Sequence, residues 1–240
     1  LAMAGSTRIT EPMFSIDWHF VSSGGGLESA SIEELADDVL CDGAYPEIKG
    51  GVHSFIARYL DAPETVLVLQ GPPGTGKTRL IRAILGEMSR RKGEEARAIY
   101  TGDMKALASD ELLVKFITGE DEAFIVEDAD HLLKPRADGN EHLHRFLTIA
   151  DGVVRAQGRK IVFSTNLPNV GDLDDALVRP GRCFARLHIR NLTSAEAQAL
   201  AVEMAAGDAQ KLSRATLTFL TFAAEGDRRR SLAEIYQMLR

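Results

Sequence analysis

Short, largely apolar runs recur along the middle of the chain, and segments with helical periodicity separate most of them. The runs cover residues 66–69, 97–101, 123–126, 160–164 and 185–189. A short, continuous apolar run suits a strand that is covered on both faces, as in a parallel sheet. Because parallel strands need long crossover connections, alternating strands and helices are typical of an open α/β fold. The pattern therefore predicts a five-stranded parallel sheet flanked by helices.

The strand-like runs stop after the fifth, and three helices are predicted in the remainder of the chain. They cover residues 194–206, 215–225 and 231–240. We expect these helices to form a small helical lid domain at 191–240, which follows a large α/β domain at 31–190.

The N-terminal residues have a different pattern. Apolar side chains alternate at positions 14, 16, 18 and 20, as on one face of a strand, and the segment 22–26 contains only Ser and Gly. Such a segment is typical of a flexible joint. We therefore expect residues 1–23 to be a partly strand-like extension that docks separately, and residues 24–30 to be a linker.

Two helices are expected before the first buried run. Ser31 and Glu34 have the spacing of a capping box, which predicts a helix that continues to about Leu40. Pro46 suits the start of the next helix, which presents apolar residues on one stripe as far as Tyr59.

The composition is typical of a soluble globular protein, with 45% hydrophobic and 26% charged residues. No apolar run approaches the roughly 20 residues that cross a bilayer. Cys41 and Cys183 are far apart in sequence, which disfavours a disulfide framework or structural zinc and favours a reducing cytoplasm. The formal net charge of −7 disfavours a nucleic-acid partner, because it would repel the phosphate backbone.

A glycine-rich loop lies between the first buried run and an amphipathic helix. Its residues are Gly71, Pro72, Pro73, Gly74, Thr75, Gly76, Lys77 and Thr78. The glycines allow backbone N–H groups to point at phosphates, and the helix N-terminus adds its positive dipole end. In this pattern the lysine reaches the outer phosphates of ATP and the hydroxyl residue binds Mg²⁺. Strand, loop and helix in this order predict a nucleotide-binding site.

Acidic residues follow the third buried run directly. Glu127, Asp128 and Asp130 emerge where open α/β sheets bind their ligands, at the carboxyl end of a strand. One carboxylate is needed near Mg²⁺ and another is needed to orient the attacking water. The usual order in such ATPases is Asp then Glu, and this chain has the reverse.

Two further groups of polar residues follow the acids. Asn166 ends the fourth run, where its amide either holds the water or outer phosphate or is an ordinary turn residue. Arg179 and Arg182 flank a Pro-Gly turn. Such a rigid pair suits recognition of a phosphate on a neighbouring subunit, and a surface salt bridge is the alternative.

These four motifs resemble, in order and separation, the signatures of the AAA+ ATPases. The resemblance covers about Pro46 to Arg240 and rests on 71–78, 124–130, 164–166 and 174–182. Within that superfamily the sequence Val-Glu-Asp-Ala-Asp looks like that of the mitochondrial translocase of folded Rieske iron–sulfur protein, which also has Glu before Asp. The stretches 109–113 and 177–182 add to this likeness.

The resemblance implies a role for each candidate residue. Asn166 becomes the sensor of the outer phosphate, and Arg179 and Arg182 become candidate arginine fingers in a ring of six or seven subunits. The family's register gives Glu127 the metal side and Asp128 the attacking water, with Asp130 in reserve.

One more arginine is assigned by similarity to other AAA+ branches. The segment 226–232 is similar to their second sensor, which would bring Arg229 to the phosphates from the lid. A solvated cluster of three consecutive arginines is the alternative.

The sequence thus predicts an oligomeric, magnesium-dependent ATPase that remodels or moves a protein partner. Two alternatives stay open. A nucleotide-gated binding module with little turnover is favoured by the order of Glu127 and Asp128, since the acid at the base position is one methylene shorter. A loader of nucleic-acid complexes would use the same motor but should show a basic track.

Overall fold

A computed structural model describes residues 13–35, 40–134, 142–151, 158–169, 173–177, 179, 181–205, 213 and 228–239. The strands are β1 (Met13–Val21), β2 (Leu27–Leu35), β3 (Val66–Gln70), β4 (Ala96–Thr101), β5 (Ala123–Val126), β6 (Lys160–Thr165) and β7 (Cys183–His188). The helices are α1 (Val52–Asp61), α2 (Lys77–Lys92), α3 (Met104–Leu107), α4 (Asp110–Thr118), α5 (Asp130–Leu133), α6 (Leu143–Asp151), α7 (Ser194–Ala205) and α8 (Leu232–Leu239). A short 3₁₀ helix covers Asp42–Ala44.

The sheet contains seven strands in the order β2-β1-β4-β5-β6-β3-β7. The five runs predicted from the sequence correspond to β3 to β7, and all of these pair in parallel. The predicted count of five is wrong because β1 pairs in parallel with β4 and then carries β2 as an antiparallel edge strand. The alternation of apolar residues along β1 is therefore that of a strand within the main sheet.

The expectations for the segment after β1 are also corrected. Residues 22–26 form the turn of a hairpin, and residues 27–30, assigned to a linker, belong to β2. The helix predicted from Ser31 is wrong at its start, because 31–35 pair with β1 in an antiparallel ladder. Glu34 forms an ion pair with Arg82 of α2 instead of capping a helix. Residues 36–39 lie outside the described part of the chain.

Apolar side chains cover both faces of the sheet, as expected for parallel strands. One face packs on α1 and α2, and the other on α3 to α6. On the second face, four phenylalanines from two strands and two helices meet edge to face, with ring centroids 5.2 to 5.6 Å apart. They are Phe116, Phe124, Phe146 and Phe163. This packing fixes β5 and β6 side by side, so the polar residues that follow them are neighbours.

Two of the three C-terminal helices lie in the described residues. α7 and α8 agree with the predicted helices at 194–206 and 231–240, and the helix predicted at 215–225 lies outside the described residues. Leu200 and Ile235 pack in the same core as Leu80 of α2. The described helices therefore share a core with the α/β sheet. No helix in the described residues combines the length and apolar character that a bilayer span requires.

Candidate functional site

Three neighbouring strands deliver the candidate residues to one edge of the sheet. β5, β6 and β3 are adjacent and parallel, so their carboxyl ends meet at the same edge. A cavity of about 530 Å³ opens there, within the range of small-molecule sites. It is lined by Pro73, Gly74, Gly76, Lys77, Thr78, Arg79, Glu127, Asp128, Ser164, Asn166, Leu232, Ala233 and Tyr236. Sheet topology thus brings together the predicted loop, acids and amide.

The glycines of the loop are required by its close contacts. A Cβ at Gly71 would lie 1.9 Å from the carbonyl oxygen of Ile189. Gly76, which precedes α2, has φ 94°, and a Cβ there would lie 2.6 Å from the Leu232 side chain. Side chains at these positions would clash, and φ in this region is strained for other residues. Thr75 closes the turn through a 2.8 Å hydrogen bond to the carbonyl of Pro72.

Lys77 is 8% exposed and lies at the centre of the site. Its Nζ donates hydrogen bonds to the carbonyl oxygens of Gly71 (2.7 Å) and Pro72 (3.0 Å) and to Asn166 Oδ1 (2.9 Å). Burial lowers the pKa of the Lys77 ammonium, and the carboxylates of Asp128 and Glu127 counteract that shift. The ammonium is therefore held at the cavity wall, ready for an anionic ligand.

The carboxylate of Glu127 accepts one hydrogen bond on each oxygen. Thr78 Oγ1 donates to Oε1 at 2.5 Å, and the hydroxyl of Tyr100 donates to Oε2 at 3.0 Å. Burial and the negative charge of Glu127 raise the pKa of Tyr100, so this phenol remains a donor at neutral pH. Glu127 and Thr78 together supply the oxygen ligands that Mg²⁺ prefers.

Asp128 turns away from Glu127 because the backbone changes direction between the two residues. Its φ of 50° lies in the left-handed region, and its N–H donates to Ser164 Oγ at 3.3 Å. Its Oδ1 accepts a 2.8 Å hydrogen bond from Asn166 Nδ2. The two acids therefore present separate carboxylates, one beside Thr78 and one beside Asn166.

Asp130 forms hydrogen bonds to residues that follow or end β6. Its Oδ1 accepts hydrogen bonds from the hydroxyl of Thr165 (2.6 Å) and the N–H of Asn166 (2.8 Å). Asp130 does not line the cavity, and these bonds fix the turn that carries Asn166.

Arg179 and Arg182, the predicted arginine fingers, lie at the edge of the sheet opposite the cavity of the same chain. β7 runs parallel to β3, with Cys183 level with Val66, so Arg182 precedes the amino end of β7. The length of β3 separates that edge from the loop, roughly 13 Å at the usual rise per residue. Arg182 Nη1 donates to the carbonyl of Ala176 at 3.1 Å, and Arg179 is exposed. Neither residue lines the cavity of its own chain.

The structure does not bring Arg229 to the cavity. Arg230 forms a backbone bridge with Leu192 and is buried, so the adjacent Arg229 is turned outward and is exposed. Residues of α8 line the cavity instead, and the N–H of Ala233 donates to the carbonyl of Gly74 at 2.9 Å.

Sequence reasoning did not identify several residues at or beside this cavity, among them Arg79, Tyr100 and Tyr236. Tyr100 contacts Glu127, and Tyr236 of α8 places its ring 3.8 Å from the guanidinium of Arg79. Arg79 directly follows Lys77 and Thr78, so the sequence itself offered a signal for this residue. The positions of the two tyrosines depend on strand register and helix docking, for which no local motif exists.

Comparison with known proteins places this site in a family. Residues 67–191 match the family model described as the ATPase family associated with various cellular activities (AAA). A relative from Arabidopsis thaliana, AAA-ATPase At3g50940, is 34% identical over 61% of this chain and 34% of its own length. The cell division cycle protein 48 homolog of Archaeoglobus fulgidus is 30% identical over 69% of the chain and 22% of its length.

A third similar protein comes from Bifidobacterium animalis subsp. lactis and is named an AAA ATPase forming ring-shaped complexes. It is 29% identical over 74% of this chain and 41% of its own length. The chain thus spans less than half the length of each of these three relatives.

Proposed function

The chain belongs to the AAA family of ATPases, and on that premise we propose that it binds ATP with Mg²⁺ in the cavity beside Lys77 and hydrolyses it. The observation that carries this proposal is the convergence of Lys77, Thr78, Glu127, Asp128 and Asn166 at one edge of the sheet. Each of these residues supplies a group that phosphoryl transfer to water requires.

The residues present fit both ATP and Mg²⁺. The loop presents backbone and a buried ammonium to the cavity, which suits a polyphosphate. Thr78 and Glu127 offer a hydroxyl and a carboxylate within hydrogen-bond distance of each other, which suits a small, hard cation. Bound Mg²⁺ would supply positive charge at the phosphate oxygens.

Each side chain has a distinct part in the proposed reaction. Lys77 binds the outer phosphates, and the Asp128 carboxylate orients the attacking water and takes its proton. Asn166, which already contacts both Lys77 and Asp128, keeps the base aligned with the phosphate and is the proposed sensor. Lys77 begins α2, and Asp128 and Asn166 lie within two residues of the ends of the adjacent strands β5 and β6, which favours a rigid arrangement.

We further propose a ring of six or seven subunits in which Arg179 and Arg182 act on the neighbour's ATP. Their location at the edge opposite their own cavity supports action between subunits. The Bifidobacterium relative is named as forming ring-shaped complexes. The ring would convert hydrolysis into remodelling or movement of a protein partner in the cytoplasm.

The finer assignments from the sequence also belong to this proposal. The order Glu127 then Asp128 supports a likeness of the catalytic core to that of the translocase of folded Rieske iron–sulfur protein. A large α/β domain followed by a helical lid at 191–240 is proposed from the succession of strands and helices, and the large domain includes β1 and β2, which pair in its sheet.

The test is ATP turnover combined with particle size. Phosphate release and light-scattering mass are measured with and without ATP and Mg²⁺, and co-purifying proteins are identified in the same samples. Turnover together with an ATP-dependent ring supports the proposal. ATP binding with phosphate release at background would instead favour the nucleotide-gated binding module.

A further inference from the structure

Glu127 has a second hydrogen-bond donor that none of the sequence motifs includes. Its Oε1 is held by Thr78 from α2, and its Oε2 is held by Tyr100 from β4. β4 pairs directly with β5, and Tyr100 is level with Ile125, two residues before Glu127. The phenol therefore reaches the carboxylate from the neighbouring strand.

We propose that Tyr100 is a positioning residue that holds the Glu127 carboxylate for Mg²⁺. This inference rests on the proposed function, because it assigns Glu127 to the metal. Tyr100 would act through Glu127 and would not itself contact the metal or the nucleotide.

The need for such a residue follows from the reversed order of the acids. Glutamate has one more methylene and one more rotatable bond than the aspartate usual at this position. A single donor leaves the longer side chain free to rotate about that contact, and ordering it would cost entropy at the moment of metal binding. A second donor on the other oxygen removes this freedom in advance. Hydrogen-bond partners of metal ligands commonly have this effect.

The ring of Tyr100 is well suited to this task. It is half-buried against the core beside α2, and its strand is paired on both sides, with β1 and with β5. The backbone of Tyr100 is thus fixed by the sheet, and its rigid ring holds the hydroxyl at a defined position. Its partner also differs from those of two other buried tyrosines: Tyr45 and Tyr59 donate to backbone carbonyls, whereas Tyr100 donates to a carboxylate.

Replacement of Tyr100 by Phe removes only the hydroxyl and tests the proposal. Binding of a fluorescent ATP analogue is titrated with Mg²⁺ and, separately, measured in EDTA. We expect Tyr100→Phe to need about tenfold more Mg²⁺ for half-maximal tight binding, since loss of a ligand's partner typically costs 10- to 100-fold in metal affinity. Affinity in EDTA should not change. Thermal unfolding without nucleotide checks that the variant is folded.

Tyr59→Phe is the matched control, because it also removes a buried phenol hydroxyl but lies away from the cavity. It should keep the wild-type Mg²⁺ requirement. In a Glu127→Ala background, Tyr100→Phe should add no further loss, because its partner is already absent.

Three results would overturn the proposal. They are an unchanged Mg²⁺ requirement in folded Tyr100→Phe, an equal loss of affinity in EDTA, and a full additional loss in the Glu127→Ala background. A wild-type protein that binds Mg²⁺ and the analogue but releases no phosphate would refute the proposed hydrolysis. The assignment of Tyr100 would still be decided by the binding data.

Discussion

The side-chain amide of Asn166 donates a 2.8 Å hydrogen bond to Asp128 Oδ1 while its oxygen accepts one from Lys77 at 2.9 Å. One amide therefore links the proposed base to the proposed phosphate-binding cation. The backbone N–H of Asn166 also donates to Asp130, so both the backbone and the side chain of Asn166 are held in place. This arrangement separates the roles of the acids and makes them testable one at a time.

Replacement of Asp128 by Asn should reduce turnover by about 10²-fold or more without loss of ATP binding. The amide keeps the size of the side chain and removes the charge that polarises the attacking water. Single-turnover phosphate release measures the chemical step, and a filter or fluorescence assay measures binding.

Asp110, an exposed acid at the start of α4, provides the control for this change. Asp110→Asn should turn over ATP at the wild-type rate. If Asp128→Asn is fully active, the base must lie elsewhere, and Asp130 becomes the candidate.

Replacement of Glu127 by Gln should raise the Mg²⁺ concentration needed for half-maximal activity. The lost charge is that of a proposed metal ligand, and the single amide oxygen of Gln can replace only one of the two oxygens that accept from Thr78 and Tyr100. A Mg²⁺ titration of turnover, run beside Asp128→Asn, separates the two effects. A metal defect in Asp128→Asn with normal metal dependence in Glu127→Gln would reverse the two assignments.

Among the five strands that were predicted correctly, β3, β5 and β6 are buried on both faces, whereas the edge strand β7 is only partly buried. β3 and β5 have every residue buried, and a continuous apolar run is a strong signal for such a position. β2 lacks this signal because it is an edge strand with mostly exposed residues. Its Ser31 and Glu34 also match a helix cap by chance, so tertiary pairing with β1 overrides the local pattern.

In the site, too, the residues that could be predicted are those marked by local sequence motifs. Asp128 and Asn166 lie within two residues of the ends of β5 and β6, and Lys77 follows β3 after the glycine-rich loop, so knowledge of a parallel sheet is enough to bring them together. Tyr100 and Tyr236 depend on strand register and on the docking of a helix that begins 154 residues after Thr78. Arg229 was assigned by similarity, and the backbone bridge at Arg230 turns it outward.

Lys160 should make the stability of the fold rise with pH above about 8. Its ammonium is buried and donates to the carbonyls of Ala62 and Glu64, and burial lowers its pKa from 10.5 to about 8. Between these two values the unfolded chain binds a proton that the folded chain has released, so increasing pH favours the folded state. Urea unfolding at pH 7, 8, 9 and 10 measures this contribution.

The comparison for this prediction is Lys160→Met, which replaces the ammonium-bearing side chain by an apolar one of similar length. The free energy of unfolding of the wild type, relative to this variant, should increase from pH 8 to 10. Lys105→Met, at an exposed position on α3, should leave the pH dependence unchanged. Parallel curves for wild type and Lys160→Met would contradict the assigned pKa.

Mixed assemblies should reveal whether the arginines act between subunits. Arg182→Ala should bind ATP normally and lose turnover by about 10³-fold, since fingers of this kind stabilise the transition state and not the bound substrate. Arg179→Ala is expected to behave in the same way. Lys77→Ala should fail to bind ATP tightly, because its outer phosphates lose their cation.

Each single variant is expected to be inactive for a different reason, and a ring containing both can restore one complete site. Where an Arg182→Ala subunit provides the intact cavity and a Lys77→Ala subunit provides the intact arginine, the pair at that interface has every group the reaction needs. Phosphate release is measured over a series of mixing ratios, and it should be highest at intermediate ratios.

Arg186→Ala, which removes an exposed arginine from β7, should be active alone. Because Arg182 lies at the sheet edge opposite its own cavity, activity within one subunit would require a large rearrangement of β7. Co-assembled variants that recover no turnover, with mixing verified by mass, would therefore remove the support for a site shared between subunits.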